Sequence, residues 1–378
     1  MASELQVNTI TEATSGSGIT FAKDIIPATP LSHRNIIING GMNVYQRGSL
    51  SITQSNNGGY ALDRFQFTQS GSIGQWEGTM TQDTTMSDAD IATTGQRNAL
   101  KILTTTVENS ISADEESRLM YKIEAQDCQR LRYGTSSAQS ATLSFWAKST
   151  VAGDYAVSIW QTDGSDVIGS KYTLAANTWT KVSITFAGNT LENIANDNTE
   201  GLRINFMLIA GGDYTSADNT SWGGYTATKL AYGHTASSVS NPWGTNANDA
   251  WYITGIQFEL GSVATPFEHR SYMEELQRCR RYYYVIKCDT FTWPMSRYSL
   301  NSGGGYYGIP LPVEMNHDPD LSTTGTWNSG SGYAGTPSLS RSDPSAITIS
   351  SGVSVTQNGT LFLEVSSGTG SLRLDSEL

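Results

Sequence analysis

Hydrophobic and polar residues alternate along five short stretches of the chain, at 142–148, 155–162, 182–186, 202–208 and 251–260. In the first stretch, Leu143, Phe145 and Ala147 share one side. A period of two is typical of β-strands that place one face against a core. Gly and Asn residues punctuate the stretches, as turns require. The pattern predicts an all-β chain in which residues 34–270 form an antiparallel jelly-roll sandwich.

The first 33 residues differ from this body. Their few apolar residues are separated by polar ones and by a Gly- and Ser-rich run at 14–18. Such a segment cannot bury enough apolar surface to fold alone. It could become ordered by winding with two identical copies or by docking on another protein, or it could remain a disordered tail. We predict that residues 1–33 are an anchor and trimerisation segment.

A helix is predicted at 271–284, after the sandwich. Tyr272, Leu276, Cys279 and Tyr283 recur at spacings of four and three, which is the stripe that a helix buries. A helix of about three turns is marginal alone in water, so it must pack on something. A threefold seam between sister helices and docking against the sandwich both satisfy this requirement.

Residues 285–378 alternate again, and we predict that they form a smaller C-terminal β domain at the tip. The Asn358-Gly359 pair separates two alternating runs. Asn-Gly favours a type I′ turn because both central residues need positive φ, so the two runs are predicted to form a hairpin.

Composition narrows the function. Charged residues make up only 15% of the chain and the net charge is −12, with no basic run. A surface of this sign repels phosphate, so we expect no nucleic-acid partner. No apolar run is long enough for a membrane helix, so we expect no membrane insertion. The N-terminus shows no signal-peptide pattern, so we expect the protein to be assembled inside a cell. The three cysteines are too few for a disulfide framework and are expected to be reduced.

The sequence lacks the residue patterns of common catalytic and cofactor sites. Pairs of histidines do not fall at metal-ligand spacing, and no nucleotide-binding glycine motif is present, so neither metal nor cofactor is predicted. We predict no catalytic residues and no enzyme activity. A glycosidase needs only two suitably placed carboxylates, which a sequence does not reveal, and a depolymerase therefore stays an alternative.

Aromatic side chains are the candidate ligand-binding groups, because flat rings stack on the C–H faces of sugars. Trp146 and Trp160 fall on the polar side of their strands, where they could form a stacking platform or pack on a neighbouring protomer or domain. The loop 212–250 concentrates further aromatics, and so does the C-terminal region. The remaining candidates are Tyr214, Trp222, Tyr225, Tyr232 and Trp243 in the loop, and Tyr306, Tyr307 and Trp327 at the tip.

Several short motifs together resemble one known module. They are NIIINGGMNVYQRG at 35–48, ALDRF at 61–65, SFWAK at 144–148, WYITGIQFELG at 251–261, PFE at 266–268, YYY at 282–284, IPLPVEM at 309–315 and LDSEL at 374–378. In this order they are similar to the carbohydrate-binding-like jelly-roll module, with its small distal domain, of tail fibres and other virion proteins of tailed bacteriophages of marine or cyanobacterial type. The resemblance covers residues 34–378.

This resemblance implies a homotrimeric, non-enzymatic fibre located in the virion tail and assembled in the bacterial cytoplasm. The N-terminus would join other phage tail proteins, and the sandwich and tip would bind a bacterial surface glycan or outer-membrane receptor. The resemblance does not assign contact residues. A purely structural tail adaptor and a capsid fibre are the alternatives.

Overall fold

The structure is a computed structural model of the full chain. It describes residues 32–53, 59–71, 76–215, 217–234, 243–289, 296–299, 304–327, 329–330, 333–334, 336–354, 359–362 and 365–378, with side chains for these except at 288–307, 329–335 and 351–369. The predicted N-terminal anchor, residues 1–33, lies almost entirely outside the described residues.

Twelve strands build the main body. They are β1 (Leu50–Ile52), β2 (Phe65–Ser70), β3 (Glu77–Asp83), β4 (Ala99–Thr106), β5 (Glu116–Glu124), β6 (Ala141–Ser149), β7 (Gly153–Gln161), β8 (Asp166–Leu174), β9 (Thr180–Phe186), β10 (Glu200–Ala210), β11 (Gly223–Gly224) and β12 (Ala250–Leu260). They form two six-stranded antiparallel sheets, in the order β1-β3-β4-β12-β6-β9 and β11-β8-β7-β10-β5-β2. We call these the first and the second sheet. Because the chain passes repeatedly from one sheet to the other, the body is a jelly-roll sandwich, and the predicted fold class is confirmed.

Short helices fill the connections. Helix α1 (Asp88–Thr94) lies between β3 and β4, α2 (Gly212–Thr215) follows β10, and α3 (Tyr272–Arg280) follows the sandwich. Single 3₁₀ segments occur at Ala125–Leu131 and Ala227–Lys229. In the part of the chain that the structure describes, no helix has the length and apolarity needed to cross a membrane.

The five predicted strands are confirmed as β6, β7, β9, β10 and β12. Their apolar sides meet between the two sheets. Phe145 of β6 contacts Tyr172 of β8 and Phe206 of β10 edge-on, at 5.2 Å between ring centroids in both pairs. Edge-to-face pairs of this kind add to the stabilisation that burial of the rings already provides.

The segment from Asn35 to Met42 fastens the start of the described body to β12. Asn35 Nδ2 donates to the carbonyl of Ile256, and its Oδ1 accepts from the backbone N–H of Phe258, both at 3.0 Å. Gly40 lies so close to β12 that a Cβ at this position would overlap the carbonyl oxygen of Ile256. Close packing against β12 therefore requires a glycine at position 40.

In the described parts of the C-terminal region there are ten strands. They are β13 (Tyr283–Asp289), β14 (Ser296–Ser299), β15 (Gly304–Pro310), β16 (Asp320–Trp327), β17 (Ser329–Gly330), β18 (Tyr333–Ala334), β19 (Pro337–Asp343), β20 (Ala346–Ser354), β21 (Gly359–Phe362) and β22 (Val365–Asp375). They form three small sheets, β13-β22-β16, β14-β21-β18-β17 and β15-β20-β19. The region has its own apolar cluster, which includes Trp327, Ile349 and Leu372. Whether it is a separate domain with the predicted boundaries stays a prediction.

The turn of the hairpin predicted around Asn358-Gly359 lies outside the described residues, because 355–358 and 363–364 are not described. Of the described strands beside it, β20 pairs with β15 and β19, and β21 pairs with β14 and β18. The hairpin therefore stays a prediction.

Helix α3 begins where it was predicted, with the side chain of Ser271 accepting the N–H of Glu274 as an N-cap. It ends at Arg280, so the predicted end at 284 is wrong, and Tyr283 begins β13 instead. Leu276 and Cys279 are buried in a cluster with Ile38 and Val44, so this helix docks on its own chain. Tyr272, which was predicted to lie on the buried stripe, is instead 55% exposed. It occupies the first turn, on the side away from the sandwich.

Candidate functional site

Trp146 and Trp160 lie on opposite outer faces of the sandwich. Strand β6 belongs to the first sheet and β7 to the second, and the neighbours of both tryptophans, Phe145 and Ile159, point into the shared core. Alternation along a strand therefore directs the two indoles away from each other. The sequence placed them on neighbouring strands, but the structure excludes one platform that contains both.

On the second sheet, the chain itself covers Trp160. The ring of Tyr225 stacks on the indole with centroids 4.1 Å apart and planes 12° from parallel. The guanidinium of Arg203 lies 4.7 Å from the centre of the same ring. The pair packs on a small apolar cluster with Met207 and Leu230. Trp160 and Tyr225 thus hold the segment after β10 against the sheet, which is a structural role.

The other aromatics of the predicted loop are also engaged within the chain. Tyr214 packs on the Trp160 cluster, and Trp222 Nε1 donates to the carbonyl of Ala187 at 2.6 Å. Trp243 is fully buried and its ring lies 5.6 Å from that of Trp76 in the core. Tyr232 is 39% exposed. The described part of the loop, 212–215, 217–234 and 243–250, therefore packs largely on itself and on the sandwich.

The predicted tip residues have different outcomes. Trp327 is only 6% exposed and lies in the core of the C-terminal region, because it ends β16 with its side chain turned inward. Burial therefore removes Trp243 and Trp327 from the candidate site. Tyr306 and Tyr307 lie on β15, but their side chains are outside the described ones.

On the first sheet, Trp146 lines an open cleft of about 390 Å³. The cleft lies between the end of α1, at 92–96, and the loop 265–269. Across the sheet, Trp146 stands opposite Thr254 of β12 and Lys181 of β9. Its indole is partly exposed.

The bulge of β12 makes room for this indole. Gly255 has φ of 61° and interrupts the pairing of β12 with β6. A Cβ at this position would lie 3.3 Å from Cδ1 of Trp146, tighter than ordinary van der Waals contact. A glycine is therefore favoured both by the backbone conformation and by the approach of the ring.

The loop that carries Phe267 and His269 is held in place by hydrogen bonds to β12. Thr265 donates to Glu259 through its backbone N–H at 2.8 Å and through its hydroxyl at 2.7 Å. The backbone N–H of Glu268 donates to Gln257 at 2.7 Å. The rings of Phe267 and His269 meet edge-on at 4.9 Å. A rigid wall of this kind lowers the entropy lost when a ligand binds.

The cleft offers two kinds of chemistry. Trp146 and Phe267 supply aromatic surface, whereas Gln96, Lys181 and His269 supply polar groups. Nε2 of Gln96 is buried and has no hydrogen-bond partner among the described residues. Aromatic surface combined with a few directed polar groups suits a small polar ligand that has apolar faces. Among the described residues, no carboxylate lines the cleft, so it lacks the acid pair of a glycosidase.

Sequence reasoning found Trp146 but missed Lys181 and Gln96. Lys181 comes directly before the predicted strand 182–186, in phase with its polar residues, so the alternation could have indicated that its side chain points outward. Its position opposite Trp146 depends on strand register, which the sequence does not reveal. Gln96 comes from the turn after α1, for which no pattern was identified. In the described part of the chain, no cluster of His, Cys, Asp and Glu suited to a metal is found.

A second, more polar cleft of about 360 Å³ lies where the described body begins. Arg130 donates to the carbonyl of His33 at 2.6 Å and to that of Arg34 at 3.2 Å, and Arg278 lies 3.3 Å from Nδ1 of His33. These bonds hold the entering chain, so we assign this cleft to chain attachment.

Comparison with known proteins gives structural likenesses only. No protein-family model and no curated protein matches the chain. Solved structures that it resembles include the xylan-binding domain from Paenibacillus barcinonensis (10% identity, TM-score 0.25, 57% of this chain and 95% of that one). Another is the family 11 carbohydrate-binding module from Clostridium thermocellum, bound to a mixed-linked tetrasaccharide (11%, 0.27, 58% and 98%). A third is a family 61 carbohydrate-binding module with β-1,4-galactotriose (8%, 0.27, 60% and 99%).

At these identities and scores the likenesses carry no information on the ligand of this chain. The assignment of a jelly roll rests on its own strand order.

Proposed function

We propose that this chain is a non-catalytic glycan-binding protein whose binding site is the cleft around Trp146. The observation that carries the proposal is a partly exposed indole on the outer face of the first sheet, next to Phe267 and to the polar groups of Gln96 and Lys181. A pyranose ring can stack its C–H face on such an indole while its hydroxyl groups bond to the polar neighbours.

We further propose that the protein is a homotrimeric tail-fibre subunit of a tailed bacteriophage. Its N-terminal residues 1–33 would join other tail proteins, and the cleft would attach the virion to a host surface glycan. The support is the resemblance of the ordered motifs in residues 34–378. Exposed apolar side chains on α3, Tyr272 at 55% and Met273 at 58%, offer a surface for sister chains. Avidity would then strengthen three individually weak sites.

Glycan binding is tested by comparing Trp146→Ala with Trp160→Ala. Both variants lose one indole, but only the first loses a ring that lines the cleft. We expect Trp146→Ala to weaken glycan binding at least about tenfold, because it removes stacking and buried area worth about 1.4 kcal/mol or more. Trp160→Ala should bind as the unaltered protein does and should only be less stable, since it loses the stack with Tyr225.

The readout is a glycan array followed by affinity electrophoresis with the polysaccharides that bind. If Trp146→Ala retained full affinity, or if both variants lost affinity equally, the cleft would not be the binding site. Absence of binding to any glycan would overturn the proposed function.

The trimer is tested by light scattering of the purified chain. We expect a mass of about three times 40.8 kDa, and a smaller mass for the double variant Tyr272→Ser, Met273→Ser. These side chains are exposed in the single chain, so the folded subunit should tolerate the change, which circular dichroism checks. A monomeric unaltered protein would contradict the fibre proposal and leave glycan binding standing.

A further inference from the structure

The charge of the Trp146 cleft is opposite to that of the whole chain. The protein has 35 Asp and Glu residues against 23 Lys and Arg. Nevertheless, among the described residues the ionisable groups that line the cleft are Lys181 and His269. Glu259, which lies under the neighbouring loop, is 1% exposed and accepts bonds from Gln257 and Thr265. The carboxylate of Glu259 is therefore engaged in internal hydrogen bonds and does not line the cleft.

Lys181 is positioned to meet a ligand that stacks on Trp146. It stands directly opposite Trp146 in the β6–β9 pair, and residues so paired have Cβ atoms roughly 5 Å apart. Lys181 is exposed, and in the described part of the chain no carboxylate lies within ion-pair distance of it. Strand β9 is the edge of the first sheet, so the side chain can reach over the cleft without crossing another strand.

A second lysine on this face, Lys148, is engaged already. Lys148 follows Trp146 by two residues on β6, and its Nζ lies 4.0 Å from Asp90. The same Nζ is 4.8 Å from the ring centres of Trp179 and of Tyr252. Lys148 is thus held by one carboxylate and two rings, whereas Lys181 is the lysine that lines the cleft among the described residues.

We infer that the cleft selects an acidic saccharide, a pyranose with a carboxylate or a sulfate ester beside its stacked face. The inference rests on the proposed function and names the class of its ligand. Trp146 takes the C–H face of the sugar, and the ammonium of Lys181 meets the anionic substituent. A neutral sugar would make the first contact without the second. Because the rest of the protein repels polyanions, the selection has to come from this local contact.

The test uses two pairs of polymers that differ only in the anionic group. Polygalacturonate is compared with its carboxyl-reduced form, and dextran sulfate with dextran. The variants are Lys181→Gln and, as a control with the same change in net charge, Lys171→Gln. Lys171 is a lysine of β8 in the second sheet and pairs with Asp154 at 2.8 Å.

We expect at least one acidic polymer to bind about fivefold tighter than its neutral counterpart at low salt. One exposed ion pair contributes up to about this factor. The preference should shrink as salt is raised. Lys181→Gln should abolish it and Lys171→Gln should keep it. Which of the two acidic polymers shows the preference decides between carboxylate and sulfate.

Equal binding of acidic and neutral polymers, or equal effects of the two lysine variants, would overturn the inference while leaving the proposed function intact. The proposed function itself fails in a different way, when Trp146→Ala binds every polymer as the unaltered protein does.

Discussion

Replacing Glu377 with glutamine perturbs the contact between the C-terminus and the sandwich. The carboxylate of Glu377, which is 5% exposed, lies between two guanidinium groups. Oε1 accepts from Arg47 at 2.9 Å, and Oε2 accepts from Arg64. Arg64 also lies 3.3 Å from the ring centre of Tyr282, and Arg47 lies 3.7 Å from that of Tyr283. The ion pairs thus join the start of the body to the end of the chain.

The loss of stability caused by Glu377→Gln depends on the contacts that each arginine retains. Arg47 retains Asp375 at 2.6 Å, whose side chain is 43% exposed. Arg64 is 2% exposed and retains the carbonyl of Lys122, at 2.6 Å, and the rings of Tyr282 and Tyr121. Breaking a buried ion pair on one side costs about 3–5 kcal/mol. Since these other contacts remain, we expect the free energy of unfolding to decrease by about 3 kcal/mol, the lower end of that range.

The assay is urea denaturation, because urea does not screen charges as guanidinium does. The control is Glu274→Gln, which breaks the exposed i,i+4 pair with Arg278 on α3. That change should cost about 0.3–0.5 kcal/mol. If Glu377→Gln were as mild as this control, the paired arginines would not depend on the carboxylate, and the buried ion-pair reasoning would be refuted.

Two further predictions concern packing and pH. Gly40→Ala should lower the free energy of unfolding in urea by about 2 kcal/mol or more, because its Cβ would overlap the carbonyl of Ile256, whereas Gly224→Ala, which has open space, should stay within about 0.5 kcal/mol. Burial lowers the pKa of His234 to about 4, so only the unfolded state takes up a proton between pH 6.5 and 4. The free energy of unfolding should therefore decrease by about 2 kcal/mol between pH 7 and pH 5, because the stability is fully present above pH 6.5. In His234→Asn this pH-dependent decrease should be absent. An equal loss in both proteins would contradict the pKa shift.

The predicted strands β6, β7, β9, β10 and β12 alternate in sequence, and a period of two has a direct cause in the pleat. Exposure of the second face is a separate matter: most residues of β10 and β12 are buried, and so are most residues of β5, which was not predicted. What covers the second face depends on contacts distant in sequence. Tyr121 of β5, for example, lies under Arg64, and its hydroxyl accepts the N–H of Ile38.

The same limit applies to the candidate site. Alternation is local, so it could place Trp146 on an outer face. It could not distinguish that indole from Trp160, because Tyr225, which covers Trp160, lies 65 residues later. Nor could the density of aromatics in the 212–250 loop separate ligand contacts from core. Trp243 is buried against Trp76, which lies 167 residues earlier in the chain.

The two outer faces of the sandwich therefore differ for a physical reason. On the second sheet, the segment after β10 stacks Tyr225 on the indole of Trp160 and adds Leu230 and Ala231 to the same apolar cluster, so the chain itself already covers part of this indole. On the first sheet, the bulge at Gly255 and the braced loop 265–269 keep a cleft open beside Trp146. A partly exposed indole retains a hydrophobic free energy that burial by a ligand can release. That difference, and not the number of aromatics, makes the first sheet the face on which we place the binding site.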